Sequence, residues 1–317
     1  MAEMMANKKL LIIHQGALGD FILIFPALIR LQKYYDVIDV LCQSGIGKLA
    51  KALRLVEKSY PLEAAHVASL FSDQIDPKIK TFLTSYANII LFTLSDQLEQ
   101  TIRRIASAPV CCISPKPPEY MRIHLTEYVL ENLINCGLIK SSDAVLDDIP
   151  LPNQRAQPKN RDRIMLHPGA GSRRKRWPIS NFLEVEAILR ADGLKPEFIL
   201  GPAEEDMVHG LTKMNRTVHI LTDLTELAAL FNSAGGYIGN DSGASHLAAF
   251  LGLPATVIFG PADPRRWTPV GRNVAIVRPA ELECRPCFET EIANCNSSEC
   301  LTKTTPQQVM QAFYRVT

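Results

Sequence analysis

Short, almost wholly apolar runs alternate with longer segments of helical period along most of this chain. The runs at 10–13, 37–41, 88–92 and 109–113 have the length and continuous apolar character of buried strands. Between them, apolar positions recur three and four apart, which predicts helices from residue 21 and near 46–53, 62–71, 75–85, 96–107 and 125–136. Pro26 interrupts the first of these and predicts a kink or a short non-helical start, because proline lacks the N–H and crowds the preceding turn. Residues 140–161 lose the pattern; they are charged, carry Pro and Asn, and read as a linker. The alternation then resumes, with strands at 163–167, 198–201, 218–221, 235–239, 255–259 and 274–277. Helices are predicted at 179–190, 204–213, 224–233 and 306–316, and an apolar helix LAAFLG follows His246 until Gly252 and Pro254 stop it. Residues 278–305 are irregular. Strand–helix–strand alternation implies parallel sheets with right-handed crossovers. The expected architecture is therefore α/β, in two domains spanning 1–158 and 159–317.

Length agrees with that division, since 317 residues suit two domains that each bury a core. Hydrophobic residues make up 47% and charged residues 21%, a globular mix, and a net charge of +1 gives no global attraction to nucleic acid. No apolar run approaches the roughly 20 residues of a membrane span. Lys8 and Lys9 precede too few apolar residues for a signal peptide. A cytoplasmic location follows as the expectation, with the eight cysteines reduced.

Polar and glycine residues crowd where strands hand over to helices, the edge at which open α/β sheets bind ligands. The first such turn is Gly16-Ala17-Leu18-Gly19-Asp20. It is neither G-x-G-x-x-G nor a P-loop. Asp20 there is either a helix cap or a general base. The second, His167-Pro168-Gly169-Ala170-Gly171-Ser172, leads into four consecutive cations, Arg173 to Arg176. Most charge runs are solvated faces, but a lysine beside a glycine-rich turn suits a diphosphate as a compact point charge; a nucleic-acid patch is the competing reading. The third, Gly201-Pro202-Ala203-Glu204-Glu205-Asp206, places acids in a first helical turn, where the helix dipole alone favours them and where a carboxylate can also accept from ribose hydroxyls. The fourth, Asn240-Asp241-Ser242-Gly243-Ala244-Ser245-His246, opens the apolar helix. It reads either as an ordinary cap through Ser242 or Asp241 or as an anion site at the helix N-terminus.

Cys284, Cys287, Cys295 and Cys300 fall within 17 residues of irregular sequence. A structural zinc knot, unligated thiols and a disulfide pair are the open readings. Cys42, Cys111, Cys112 and Cys136 lie in core-like segments and read as small hydrophobes. The chain has no Asp-x-Asp, which argues against a carboxylate-held catalytic metal, and no Gly-x-Ser-x-Gly elbow.

Taken together, Gly16 to Asp20 with Pro26 downstream, His167 to Ser172 with Lys175-Arg176-Trp177-Pro178, Gly201 to Glu204, and Asp241-Ser242-Gly243-Ala244-Ser245-His246-Leu247-Ala248 resemble glycosyltransferase family 9, the ADP-heptose:lipopolysaccharide heptosyltransferases. The resemblance implies a GT-B fold, two Rossmann-like parallel-sheet domains facing across a cleft. The N-terminal domain would take the acceptor and the C-terminal domain the nucleotide-sugar donor, with the terminal helix at 306–316 packing back on the N-terminal domain. It implies an inverting transfer of a heptose or similar sugar from an ADP-sugar to a lipopolysaccharide core-type, lipid-linked acceptor, with no metal required for catalysis. Carried over residue by residue, Asp20 matches the base and Lys175 the lysine on the donor phosphates. Glu204 matches the acid near the ribose, with Glu205 one register away. Gly169, Ser172, Asp241, Ser242, Gly243 and His246 match the donor-binding turns, and Gly16 and Gly19 the acceptor-side turn. Such a protein would sit in the cytoplasm or peripherally at the cytoplasmic face of the inner membrane. His14-Gln15 and the stretch from 42 to 125 depart from the family pattern. The rival readings are a nucleotide-sugar epimerase or hydrolase on the same fold, and a non-catalytic nucleotide-sugar-binding protein.

Overall fold

A computed structural model describes residues 8–72, 74–143, 160–279, 281–282, 284, 286–288, 295 and 298–317. The chain divides into two compact units, 1–150 and 151–317. The boundary expected at 158/159 falls outside the described residues.

The first unit holds strands β1 (Lys9–His14), β2 (Val37–Cys42), β3 (Lys58–Pro61), β4 (Asn88–Phe92) and β5 (Val110–Ile113), in one parallel sheet ordered β3-β2-β1-β4-β5. Its helices are α1 (Leu18–Ile22), α2 (Phe25–Leu31), α3 (Ser44–Ala52), α4 (Pro77–Leu83), α5 (Asp96–Ile105) and α6 (Leu125–Asn135). Leu10, Leu11, Ile12 and Ile13 of β1 are buried, as a central strand covered on both faces requires. Proline divides the apolar segment after β1 into α1 and α2, with Pro26 in the first turn of α2, where its missing N–H costs nothing. The helix expected over 62–71 is only a 3₁₀ stretch at Val67–Phe71. Strand β3 was not expected, because its KSYP sequence sits half-exposed at a sheet edge and carries no apolar run.

The second unit holds β6 (Arg163–His167), β7 (Lys195–Leu200), β8 (Val218–Ile220), β9 (Gly236–Asn240), β10 (Ala255–Ile258) and β11 (Val274–Val277), all parallel and ordered β11-β10-β9-β6-β7-β8. Helices α7 (Ile179–Ala191), α8 (Glu205–Lys213), α9 (Leu224–Ser233), α10 (Gly243–Phe250), α11 (Pro264–Trp267), α12 (Glu299–Thr302) and α13 (Pro306–Tyr314) accompany them. The strand order reverses between β6 and β9, a doubly wound arrangement with its switch point at those two strands. Within its own unit α13 packs mainly on α7, β10 and β11, where Val309, Met310 and Phe313 join the core. A reciprocal cap starts it, with Thr305 and Gln308 exchanging side-chain-to-backbone bonds of 2.9 and 3.2 Å. Among the described residues, no helix is long and apolar enough to cross a membrane.

One expectation is corrected. Cys111 and Cys136 are joined in a disulfide, with Cα atoms 6.0 Å apart, and are not reduced packing residues. Cys111 lies in β5 and Cys136 ends α6, and the crossover brings them together in a way that a separation of 25 residues does not announce.

Candidate functional site

In the first unit, β1 ends at His14, paired in register with Phe92 of the neighbouring β4. The His14 ring packs against Phe21 and Phe92, each at 5.0 Å between centroids, and its Nδ1 accepts the Gly16 N–H at 3.1 Å. Burial removes the water that would stabilise its charged form and lowers its pKa to about 3, so the ring is neutral. A Cβ on Gly16 would stand 2.6 Å from His14 Cε1 and 3.1 Å from Asp20 Oδ2, which is why the turn needs glycine there. Gly19 lies within α1. Ala17 occupies the N-cap and offers no side-chain oxygen; Asp20, three residues on, accepts the Ala17 N–H at 3.3 Å. Asp20 thus performs a capping bond from inside the helix, with its half-buried carboxylate at the strands' carboxyl edge.

In the second unit the turns after β6 and β9 meet at the switch point, since His167 is in register with Gly239. Asn240 ties them together. Its side-chain amide donates to the Pro168 and Gly169 carbonyls at 2.8 and 3.3 Å, and its Oδ1 accepts the Trp177 N–H at 3.0 Å. Trp177 is itself buried and donates Nε1–H to the Thr304 carbonyl at 3.0 Å. Ser242 is the N-cap of α10 by position, yet its side chain makes no capping bond. Its hydroxyl lies instead 3.3 Å from His167 Nδ1 and 3.4 Å from Ser245 Oγ. The first turn of α10, beginning at Gly243, therefore has no side-chain cap from Ser242, and a helix N-terminus in that condition favours an anion.

The basic run divides in two. Arg173 and Arg174 are exposed, whereas Lys175 and Arg176 point inward. Lys175 Nζ lies 2.8 Å from Asp241 Oδ2, with the Asp241 side chain 3% and the Lys175 side chain 18% exposed. Burial raises the Asp241 pKa and the nearby ammonium opposes that rise. His246 Nε2 approaches the other Asp241 oxygen at 4.0 Å. Ser172 caps the short turn of the run by accepting the Arg174 N–H at 3.3 Å.

Glu204 is buried behind this turn. It accepts the Gly201 N–H at 2.9 Å and pairs with Arg176 at 3.3 Å. A Cβ on Gly169 would stand 2.3 Å from the Glu204 carboxyl carbon, so glycine is what lets the acid approach the loop. Glu205 is exposed. His167 comes within 4.0 Å of Glu204, but burial and the Arg176 charge lower its pKa to about 4, so this is no ion pair at neutral pH.

Two buried neutral histidines make a pH prediction. Unfolded, each titrates near 6.5; folded, His14 does so at about 3 and His167 at about 4. The unfolded chain then binds protons that the folded one refuses, so stability is lost as pH falls below the unfolded value. Between pH 7 and pH 5 the loss should reach about 2 kcal/mol for each histidine. Urea unfolding at the two pH values measures it, and His14→Gln should remove about half of the drop.

The four clustered cysteines are not gathered as ligands: among the described residues no three His, Cys, Asp or Glu side chains form a group that could hold a metal. The Cys284, Cys287 and Cys295 thiols are still near enough to Cys300 to help burial raise its pKa. Asn240, Arg176 and His167 stand in the turns read from the sequence, but that reading gave none of them a role of its own.

The model of glycosyltransferase family 9 (heptosyltransferase) matches residues 138–296, half of the chain. Lipopolysaccharide heptosyltransferase 1 of Escherichia coli K12 is 30% identical over 132 residues, which are 41% of this chain and 39% of that protein. The alignments cover 39%, 52% and 50% of three curated relatives, so the chain spans about half of their length at most. Among solved structures, a family 9 glycosyl transferase from Veillonella parvula has a TM-score of 0.76 at 18% identity, covering 100% of this chain and 99% of that one. The E. coli heptosyltransferase WaaC with ADP has a TM-score of 0.70 at 18% identity, covering 98% and 100%.

Proposed function

The chain belongs to glycosyltransferase family 9, the heptosyltransferases, with the two parallel-sheet α/β units of the GT-B fold, and from that premise we propose that it transfers a heptose or similar sugar from an ADP-sugar to a lipopolysaccharide core-type acceptor with inversion. The observation that carries this reading is the head of α10, where the Lys175 ammonium, half-buried beside Asp241, adjoins a helix N-terminus that Ser242 leaves uncapped. A diphosphate supplies the anion such a place favours. Gly169, Ser172, Gly243 and His246 complete the donor turns, and Glu204 stands behind them.

In the proposed reaction, Asp20 takes the proton of an acceptor hydroxyl while its oxygen attacks the anomeric carbon opposite the ADP. The bond from that carbon to the phosphate oxygen breaks with its electron pair going to ADP. Charge growing on the diphosphate is met by Lys175 and by the N–H groups of the first turn of α10, fixed before the reaction begins. No step is assigned to a metal ion. The acceptor side belongs to the first unit in this reading, with Gly16 in the turn after β1 and Gly19 in the first turn of α1. We place the protein in the cytoplasm or peripherally at the inner membrane, since a lipid-linked acceptor would lie there.

The test is ADP release from ADP-heptose with and without a heptose-deficient core acceptor, in the presence of EDTA. Release that requires the acceptor supports transfer. Equal release without it points to a hydrolase, conversion of the donor to an isomeric ADP-sugar without release points to an epimerase, and an unchanged donor points to a non-catalytic binding protein.

A further inference from the structure

Phe288 follows Cys287 and has no role in any motif considered above, yet its ring meets the donor lysine. Lys175 Nζ stands 4.2 Å from the ring centroid, and the Arg174 guanidinium carbon 5.8 Å from the same ring. Cys287 and Phe288 are held from two directions. The Cys287 and Phe288 N–H groups both donate to the Pro261 carbonyl, at 2.8 and 3.1 Å, and Pro261 follows closely on β10. Arg174 Nη2 reaches Cys287 Sγ at 3.6 Å.

We propose that Phe288 is a positioning residue for Lys175, so that its ring, next to Cys287, is part of the donor site. This rests on the donor reading given above. A lysine carries four rotatable bonds and gains direction only from what surrounds its ammonium. Here that ammonium is held by one carboxylate at 2.8 Å and one aromatic face at 4.2 Å. The two partners act differently once a diphosphate arrives. Asp241 repels the phosphate charge it then faces. The ring attracts the cation through its quadrupole without occupying an acceptor site or repelling an anion strongly, and leaves the N–H bonds free to turn. Phe288 thus supplies the part of the lysine's fixation that survives donor binding.

The experiment is calorimetric titration of ADP into the full-length protein and its variants, each first checked for cooperative thermal unfolding. Phe288→Leu keeps apolar bulk but loses the ring, and should weaken ADP binding about 3- to 30-fold. Phe288→Tyr keeps the ring and should stay within about twofold. In a Lys175→Met background Phe288→Leu should have no further effect, an outcome that a merely structural role would not produce. Where Phe288→Leu proves unstable, Phe288→Met takes its place in both comparisons. Unchanged affinity in the ring-less variant, or an equal loss with and without Lys175, overturns the inference while leaving the donor site standing. Failure of the unsubstituted protein to bind ADP overturns the donor reading and this inference with it.

Discussion

Replacing Asp20 by Asn lowers kcat about 10²- to 10⁴-fold, the range for loss of a positioned general base, while ADP affinity stays within about twofold. That loss corresponds to roughly 3–5 kcal/mol of barrier. The choice of Asn is deliberate. Asp20 also accepts the Ala17 N–H at 3.3 Å, and an amide oxygen can keep that bond while losing the basicity. Asp20→Ala removes both, so any difference between the two variants isolates the contribution of the cap, about 1 kcal/mol of stability. ADP binding is spared because every residue proposed to hold the nucleotide belongs to the second unit. If Asp20→Asn turned over donor at the normal rate while Asp20→Ala unfolded early, Asp20 would be a cap and nothing more.

Lys175→Ala should weaken ADP binding by about 10- to 150-fold, the worth of one charge-assisted bond. It should also lower the unfolding midpoint, because the Asp241 carboxylate, 3% exposed and paired at 2.8 Å, would lose its partner. Removing one member of a buried pair strands the other charge, at a cost of roughly 3–5 kcal/mol. Burial already raises the Asp241 pKa, and without the ammonium it rises further. The stability cost should therefore be largest at neutral pH and shrink as acid protonates the carboxylate, because the neutral acid no longer needs the lysine. Denaturant unfolding across pH reads this directly. Small, equal effects of Lys175→Ala and Asp20→Asn on donor affinity and turnover would contradict both assigned roles.

The frame of both units was readable because parallel strands buried on two faces must be continuous apolar runs. LLII in β1, NIILF in β4, RIMLH in β6 and ATVI in β10 had no other good reading. β3 escaped for the converse reason: KSYP borders one strand only and keeps half its side chains in water. Turns carrying the site were legible as glycine and polar clusters between periods, and Lys175 as one cation of four. Local pattern did not show that Lys175 and Arg176 turn inward, since that depends on Asp241 and Glu204, 66 and 28 residues later; only the family resemblance singled out Lys175. Asn240, Arg176 and Phe288 act through contacts across the second unit, with Asn240 bonding to loop atoms more than 70 residues away. The Cys111–Cys136 bond is of the same kind, set by how α6 returns along β5. Local pattern predicts elements; partners brought in by the sheet order require the fold.

Titration of the purified protein with ADP, UDP and GDP in EDTA, followed by calorimetry, tests the central claim most directly. The account predicts saturable binding of ADP, weaker or absent binding of the other two, and ADP binding weakened about 10- to 150-fold in Lys175→Ala. Preference for UDP or GDP would contradict the ADP-sugar donor, and the absence of any nucleotide binding would contradict the donor site at the head of α10.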